Sequence, residues 1–468
     1  MPLQTITCTF KFELMPDKDQ RAALSLNAGC RRFAYNKMLE LLNERKEADE
    51  HIPNYSEMSH ILTGWKKEPD TAFLREAIAQ SLQQGIYDLS VAVKNYFRKP
   101  DDPAKKGWPR FHEKNVHDGF RLPQPKSSDV DEINGRVNIP KIGWIRYRQS
   151  RLMRMKECDG REVEGKLLQI RINKDVDKWY VGFVMEFHLE QPDPNELEIA
   201  IDIGIVHAVT TNEGHFFDLD VDRIRELEEK IQKNQRKLSL NANSRKKLVA
   251  LGKTAPIDKH KPSRTRRELQ EKIQKLHRKI RNIRADFRKK LAHTLAQEYG
   301  CVYAEDLRVR NLTASAKGTV ENPGKNVKQK SGLNRAILRI GWYGIREEIE
   351  WAQRKTGGRL IVVDPKNTSR TCPGCGHVSA ENRRSQALFK CVKCDYTKNA
   401  DVVGALNVLR KGRTKKAEEV TLPVLPSAHI QKKRIARVVN GFRGGVCEAP
   451  LGAVISGNHP MSVPQGAG

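Results

Sequence analysis

The chain has 468 residues, with 85 Lys and Arg against 57 Asp and Glu for a formal net charge of +28, and at roughly 150 residues per domain this length predicts about three domains. A charge of +28 cannot be neutralised internally and calls for a polyanionic partner, with nucleic acid ahead of an anionic membrane surface. The hydrophobic fraction of 38% and the long apolar-periodic segments exclude disorder of the whole chain, and the absence of any run near ~18 apolar residues excludes a transmembrane helix.

In chain order, residues 3–14 favour a strand. A helical region capped by Asp17 or Asp19 follows, with Leu24, Ala28, Phe33, Tyr35, Met38, Leu39 and Leu42 on its apolar face. A second helical stretch, 71–97, places Leu74, Ile78, Leu82, Ile86, Leu89 and Val93 at spacings of three and four. Pro100, Pro103 and Gly107 end it. Residues 108–189 read as β, for example 136–139, 144–147, 167–172 and 179–188, and a barrel or curled sheet is expected.

A linker at 191–196 leads to an apolar strand, 199–203, and a partner, 206–210. A long basic helical region covers 221–299. Its second half carries one apolar stripe, Leu269, Ile273, Leu276, Ile280, Ile283, Phe287, Leu291 and Leu295. A break at 252–262 predicts a helical hairpin. Between 223 and 290 there are 24 Lys and Arg against seven Asp and Glu, so more than half of the net charge lies there. A merely solvated face usually mixes signs, and this one does not.

A strand is expected at 301–305, a Gly/Lys/Asn-rich loop at 313–332, a helix at 333–355 and a strand at 359–363. A helix from 401 to about 409 precedes a Gly- and Pro-rich tail, from 418, expected to be disordered. The alternation from 197 to 410 reads as an α/β domain interrupted by insertions.

Four of the nine cysteines cluster as Cys372-x2-Cys375-x15-Cys391-x2-Cys394, while Cys8, Cys30, Cys158, Cys301 and Cys447 are scattered. That spacing is that of a four-cysteine zinc ribbon holding one structural Zn²⁺, and the odd total argues against a disulfide framework. Gly374 and Gly376 would relieve one knuckle, and His377 is an alternative ligand.

Asp202 lies inside an apolar strand, where a carboxylate is costly unless it binds a cation or is hydrogen-bonded. Glu305 ends another apolar strand, and Asp401 begins an apolar helix. Each has a simpler reading: a turn residue, a strand-end charge, an N-cap. Together, at two strand ends and a helix start, they suit a site for two Mg²⁺ ions that act on a phosphodiester. Asp306 competes with Glu305 but should face the opposite side.

Five segments carry a resemblance: AIDIGIVHAVTTNEG (200–214), IRNIRADFRKKLAHTLAQEYGCVYAEDL (280–307), SGLNRAILRIGWYGI (331–345), IVVDPKNTSRTCPGCG (361–376) and FKCVKCDYTKNADVVGALNVL (389–409). In order and spacing they resemble the TnpB/OrfB proteins of insertion sequences, an RNA-guided nuclease family related to compact type V CRISPR effectors. The resemblance covers about 1–410 and is densest from 197.

It implies an α+β multidomain protein. An RNase H-like (RuvC) nuclease domain would occupy 197–363 and 401–412, with Asp202, Glu305 and Asp401 as its catalytic, Mg²⁺-binding carboxylates. The zinc ribbon would be a target-nucleic-acid-binding insertion at 364–400. A β-barrel-like wedge domain would occupy 1–14 and 108–192, and a helical recognition lobe 15–107. The implied partners are a guide RNA made from the transposon end, target double-stranded DNA and its displaced strand, with cleavage beside a short transposon-adjacent motif and sequence choice left to RNA–DNA pairing. A monomer with bound RNA, no membrane partner and a cytoplasmic, nucleoid-associated location are expected; Lys11 and Glu13 stand where a signal peptide would be apolar. One departure is the third motif, where relatives often have D-R-D-x-N and this chain has Asn399-Ala400-Asp401-Val402-Val403.

Candidate phosphate contacts are Arg264, Arg266, Arg267, Lys275, Arg278, Lys279, Arg281 and Lys289 on the basic helices and Arg370 before the zinc knuckle, within Thr368-Ser369-Arg370. In the helical lobe, Arg31, Arg32, Tyr35, Asn36, Lys37, Tyr96, Phe97 and Arg98 interleave aromatics with cations, which suits either base stacking or a core. The alternatives are a nuclease-inactive RNA-guided DNA-binding regulator of the same family and a plain zinc-ribbon nucleic-acid-binding protein. The second leaves Asp202 unexplained.

Overall fold

The computed structural model describes residues 3–157, 160–190, 192–251 and 263–421. The hairpin break expected at 252–262 and the tail beyond 421 lie outside them. The chain divides into two compact units, one of residues 1–192 with 248–275, the other of 193–247 with 276–468.

The first unit begins with β1 (Leu3–Leu14), α1 (Lys18–Glu47), α2 (Tyr55–Trp65) and α3 (Ala79–Tyr96). Then come β2 (Gly119–Leu122), β3 (Val130–Asp131), β4 (Arg136–Ile139), β5 (Gly143–Arg148), β6 (Arg154–Lys156), β7 (Glu162–Glu164), β8 (Lys166–Asp175) and β9 (Lys178–Glu190). Seven strands form a sheet in the order β2-β8-β9-β1-β5-β4-β3. β1 and β9 pair antiparallel along their whole length, from Leu3 opposite Glu190 to Leu14 opposite Trp179. The period of two puts Ile6, Phe10, Phe12 and Leu14 inward, across from Phe187, Phe183, Val181 and Trp179. The order is linear, and among the described residues no ladder joins β2 to β3. Of the barrel-like expectation the structure shows an antiparallel sheet with two edges.

The helices of this unit share a core that includes Tyr35, Met38, Leu42, Leu62, Leu74, Leu82, Ile86 and Leu89. Asp17, with Gln20, closes a capping box at the start of α1. α3 begins after Ile78, which has no side-chain oxygen to cap it. The buried Asn27 on α1 does that work: its Oδ1 accepts the Ile78 N–H at 2.7 Å and its Nδ2 donates to the Ala23 carbonyl at 2.9 Å. Tyr35 stacks on His112 at 3.6 Å, and Tyr96 and Phe97 pack edge-on against Trp108. Tyr35 therefore serves the core, whereas Phe97 keeps an exposed face.

The second unit starts with β10 (Glu198–Asp202), β11 (Val209–Thr211) and β12 (Phe216–Phe217). α4 (Val221–Ala250) and α5 (Arg264–Glu298) follow, their facing ends at 248–251 and 264–275 grouping with the first unit. β13 (Cys301–Glu305), α6 (Val309–Leu312), α7 (Val327–Ile340), α8 (Trp342–Lys355), β14 (Arg359–Val363), β15 (Leu388–Lys390), β16 (Thr397–Asn399) and α9 (Ala400–Thr421) complete it. The main sheet runs β12-β11-β10-β13-β14, with β10, β13 and β14 parallel and β11 and β12 antiparallel. α9 covers it through Val408, which packs with Ala200, Tyr303 and Val363.

Several boundaries differ from expectation; the strand expected at 206–210 is confined to Val209–Thr211. The helix expected at 333–355 begins at Val327 and is divided by Gly341, whose φ of +78° ends α7 and starts α8. The helix expected to stop near 409 continues to Thr421, because 410–420 is rich in Lys, Arg, Glu and Ala. Residues 69–75 form a separate 3₁₀ turn ahead of α3. Among the described residues, no helix is long and apolar enough to cross a membrane.

The Asn27 bond yields a test of packing in the first unit. Asn27→Ala leaves the Ile78 N–H buried without an acceptor and should lower stability by ~1–3 kcal/mol in urea denaturation.

Candidate active site and cysteine cluster

The parallel ladder aligns Glu198 with Cys301 and Ala200 with Tyr303. Two residues further on, the same register brings Asp202 beside Glu305, each the last residue of its strand and on the face that α9 covers. α9 supplies Asp401 from its first turn. Asn399 caps that turn, its Oδ1 accepting the backbone N–H of Asp401 at 2.9 Å and of Val402 at 3.2 Å. The capping role at this turn therefore goes to Asn399 and not to Asp401.

α9 approaches the sheet closely at two glycines eight residues apart. A Cβ on Gly404 would sit 2.8 Å from Asp202 Oδ2, and one on Gly412 would sit 2.1 Å from the Tyr303 ring. The carboxylate of Asp202 keeps some exposure at the strand end but is crowded by protein. Removal from water, with the charges of Glu305 and Asp401 adding, pushes it up to about 8, against an opposing pull from Arg383. Burial also raises Glu305, with Asp364 adding, while a hydrogen bond from Thr368 and the charge of Lys411 oppose it. The charges of Glu305 and Asp401 therefore act on Asp202, although the three carboxylates do not lie within 4.8 Å of one another; oxygen donors of this kind suit a hard divalent cation. Asp306, the competing candidate, instead accepts from Arg346 at 2.7 Å.

Two polar contacts hold these carboxylates. Thr368 Oγ1 donates to Glu305 Oε1 at 2.5 Å, and Arg383 Nη2 donates to Asp401 Oδ1 at 3.1 Å. Thr368 is in turn fixed by Asn407 of α9, whose Nδ2 donates to the carbonyls of Thr368 and Thr371, each at 2.7 Å. Sequence reasoning placed Thr368 only beside the candidate phosphate contact Arg370, named Asn399 without its capping role, and missed Arg383, Gly404 and Asn407. Their one local signal is the polar Asn399 just before a helix start.

The cysteine sulfurs of residues 372, 375, 391 and 394 all lie within 4.8 Å of one another, the only such group of three or more metal-ligating side chains among the described residues. Cys372 and Cys394 approach to 3.6 Å, as do Cys375 and Cys391. Four sulfurs at ~2.3 Å from a tetrahedral zinc would lie about 3.8 Å apart, so the cluster fits that ion closely. The two knuckles repeat one pattern. In the first, Cys372 N–H donates to the His377 carbonyl and Gly376 N–H to the Cys372 carbonyl; in the second, Cys391 pairs likewise with Tyr396 and Asp395. Gly376 and Asp395 hold the left-handed position of each turn. His377 contributes its carbonyl to this frame, and its ring is outside the sulfur cluster.

The cluster is joined to α9. Cys372, Phe389 and Cys391 share a small core with Ala400 and Val403. The fully buried Asn382 ties the loop, donating to the carbonyls of Arg370 and His377 and accepting from Val392 N–H. Arg370 points outward and is exposed.

The basic residues nominated on α5 fall into two groups. Arg267, Lys279 and Lys289 are exposed, and Arg266 is half-buried. Arg264 pairs with Glu268 at 2.9 Å, and Lys275 with Glu271 at 2.6 Å and Asp177 at 3.1 Å. Arg278 and Arg281 also have interaction partners within the chain and are half-buried.

A model described as "Probable transposase" matches residues 169–316, one described as "Cas12f1-like, TNB domain" matches 342–408, and one described as "Helix-turn-helix domain" matches 1–51. Within that last stretch the structure has one strand and one long helix. A protein of Escherichia coli (strain K12) called "Putative RNA-guided DNA endonuclease InsQ" is 36% identical over 404 residues, 86% of this chain and 92% of that one. A "Putative RNA-guided DNA endonuclease" of Streptomyces pristinaespiralis is 27% identical, over 88% and 90% of the two chains. Among solved structures, "Structure of the mini-RNA-guided endonuclease CRISPR-Cas_phi3" is 13% identical, covers 87% of this chain and 92% of that one, and has a TM-score of 0.38. The extended identity to the first of these relatives, with the OrfB-type model across the first two carboxylates' strands, places the chain in the TnpB/OrfB family of insertion sequences.

Proposed function

We propose that the chain is an RNA-guided DNA endonuclease of a transposable element, cutting target DNA by metal-dependent phosphodiester hydrolysis beside a short transposon-adjacent motif. The observation that carries the reading is the Asp202 carboxyl, packed at its strand end against Gly404 of α9, where burial first and the charges of Glu305 and Asp401 next push it up to about 8. The two long relatives, both called RNA-guided DNA endonucleases, support the guide and the substrate. The sheet order, three antiparallel strands continued by two parallel ones and covered by α9, supports an RNase H-like (RuvC) reading of the second unit.

In this reading Asp202, Glu305 and Asp401 hold two Mg²⁺ ions. Bound there, the ions would supply an activated water and stabilisation of the leaving oxygen. The chain's own groups prepare the site. Thr368 orients the Glu305 carboxylate through its hydroxyl, and Asn407 holds Thr368 in place. Arg383 offsets the charge of Asp401 and keeps its oxygen fixed. Gly404 lets α9 come close enough for Asp401 to share the site with Asp202. The four cysteines hold one structural Zn²⁺, and the 364–400 insertion contacts target nucleic acid with Arg370 outward. The antiparallel sheet of the first unit serves as the wedge and its helices as the recognition lobe. The partners are a guide RNA from the transposon end, the target duplex and its displaced strand.

The reading is tested by sequencing RNA that copurifies with the protein, then challenging the complex with a plasmid library. Recovery of no defined RNA, or no cleavage of any library member, would overturn it. Asp202→Ala should reduce Mg²⁺-dependent cleavage to background while RNA and DNA binding persist; retained cleavage would sink the catalytic assignment. Thr368→Val should slow cleavage about 10–100-fold, the usual cost of losing a group that orients a metal ligand, with zinc content unchanged and Thr368→Ser close to wild type. Metal analysis should return one zinc per chain, and its chelation should open 364–400 to proteolysis; a zinc-free, protease-resistant chain would refute the ribbon.

A further inference from the structure

α5 carries two arginines one turn apart, Arg284 and Arg288, on the part of the helix that belongs to the second unit. Both are half-buried. The Nε of each is buried with no hydrogen-bond partner among the described residues. A guanidinium offers five donors, and a buried donor left unmade costs free energy. The carboxylate whose charge acts on Arg284 is already committed: Glu228 of α4 accepts from Arg339 Nη2 at 2.6 Å and from its Nε at 3.2 and 3.3 Å. Burial pulls Arg284 below the usual arginine range; Glu228 opposes this, while Arg288 and Arg339 add to it. The cluster thus holds more positive charge than the chain neutralises.

Its place in the fold matters. The Arg288 guanidinium lies against Gly344 in the first turn of α8, where an added Cβ would meet Nη1, Cζ and Nε at 2.8 to 3.0 Å. Two residues earlier Trp342 donates its Nε1–H to the Gly204 carbonyl at 3.1 Å. Gly204 follows Asp202 by two residues. The start of α8 therefore braces both the arginine pair and the loop that leaves the carboxylate strand.

We propose that Arg284 and Arg288 form a phosphodiester clamp that holds one nucleic-acid backbone at a fixed step from the carboxylates. Phosphate oxygens match the planar, forked donors of two guanidinium groups and supply the missing negative charge. The same chemistry is offered by an RNA or a DNA strand. The inference rests on the nuclease reading above and adds to it a positioning site that the exposed basic residues do not provide.

The test uses the full chain carrying Asp202→Ala, so that bound strands stay intact. Binding of labelled single-stranded DNA and of RNA of the same sequence is measured across a salt series, with and without Arg284→Gln and Arg288→Gln together. The double variant should bind one of the two strands about tenfold or more weakly, and the salt dependence should fall by about 0.7 for the lost phosphate. The melting temperature should stay the same or rise, since buried like charges are removed. Arg284→Lys with Arg288→Lys should keep the salt dependence but bind more weakly, since the charge remains and the fork is lost. Unchanged affinity and salt dependence in the Gln pair, with the parent binding well, would overturn the clamp alone. So would a fall in melting temperature in both the Gln and Lys pairs, which would make the arginines structural. Failure of the parent to bind either strand would overturn the nuclease reading itself.

Discussion

The second unit is organised around one close approach: the first turn of α9 against the ends of β10 and β13. At that point helix and sheet are separated by less than a side chain, because Gly404 leaves room only for the Asp202 carboxylate. Gly412 repeats the arrangement on the Tyr303 ring. A helix seated this tightly cannot shift along the sheet without collision, so Asp401 is fixed relative to Asp202 by packing rather than by a flexible loop. The cost is electrostatic, since the packing concentrates negative charge at a place with little water.

The cysteine module extends the same arrangement. Its apolar floor is shared with Ala400 and Val403 of α9, and Arg383 from its long loop reaches Asp401. Thr368, on the segment entering the module, reaches Glu305. Both connections between sheet and module are therefore also connections to carboxylates. In small zinc modules the free energy of metal binding is free energy of folding, so a zinc ion held by these cysteines would be coupled by these contacts to the geometry of the carboxylates.

Much of this was legible in the sequence, where local signals suffice. The period of two in β1 and β9, the apolar runs of β10 and β13, and the C-x2-C spacing each encode their structure within a few residues. The stripe on α5 was legible too, and it is buried at Leu269, Ile280, Leu291 and Leu295. What escaped depends on partners far along the chain. Thr368 and Asn407 are 39 residues apart, and Asn27 bonds the backbone of Ile78, 51 residues later, at the start of α3. Nothing near Asn27 or Asn407 reveals such a bond. The division of α7 from α8 was missed because a glycine within a helical pattern can be tolerated or can end the helix, and only the left-handed φ of Gly341 separates the two. Lys275 was chosen for its charge, but Asp177 lies about a hundred positions earlier in the chain, beyond any local pattern.

The long separation of Asp202 from Asp401 also has a consequence in time. The strand carrying Asp202 leaves the ribosome nearly 200 residues before the helix that completes the carboxylate set. At about 5–20 residues per second this interval lasts on the order of 10–40 s. Throughout it the parallel strands have no α9 to cover them, and the carboxylates cannot assemble. Loop closure across so many residues is slow compared with the local pairing of β10 and β11. Helix α9 therefore acts as the final step of maturation, and any chain interrupted before it carries a sheet with an uncovered apolar face and no complete site.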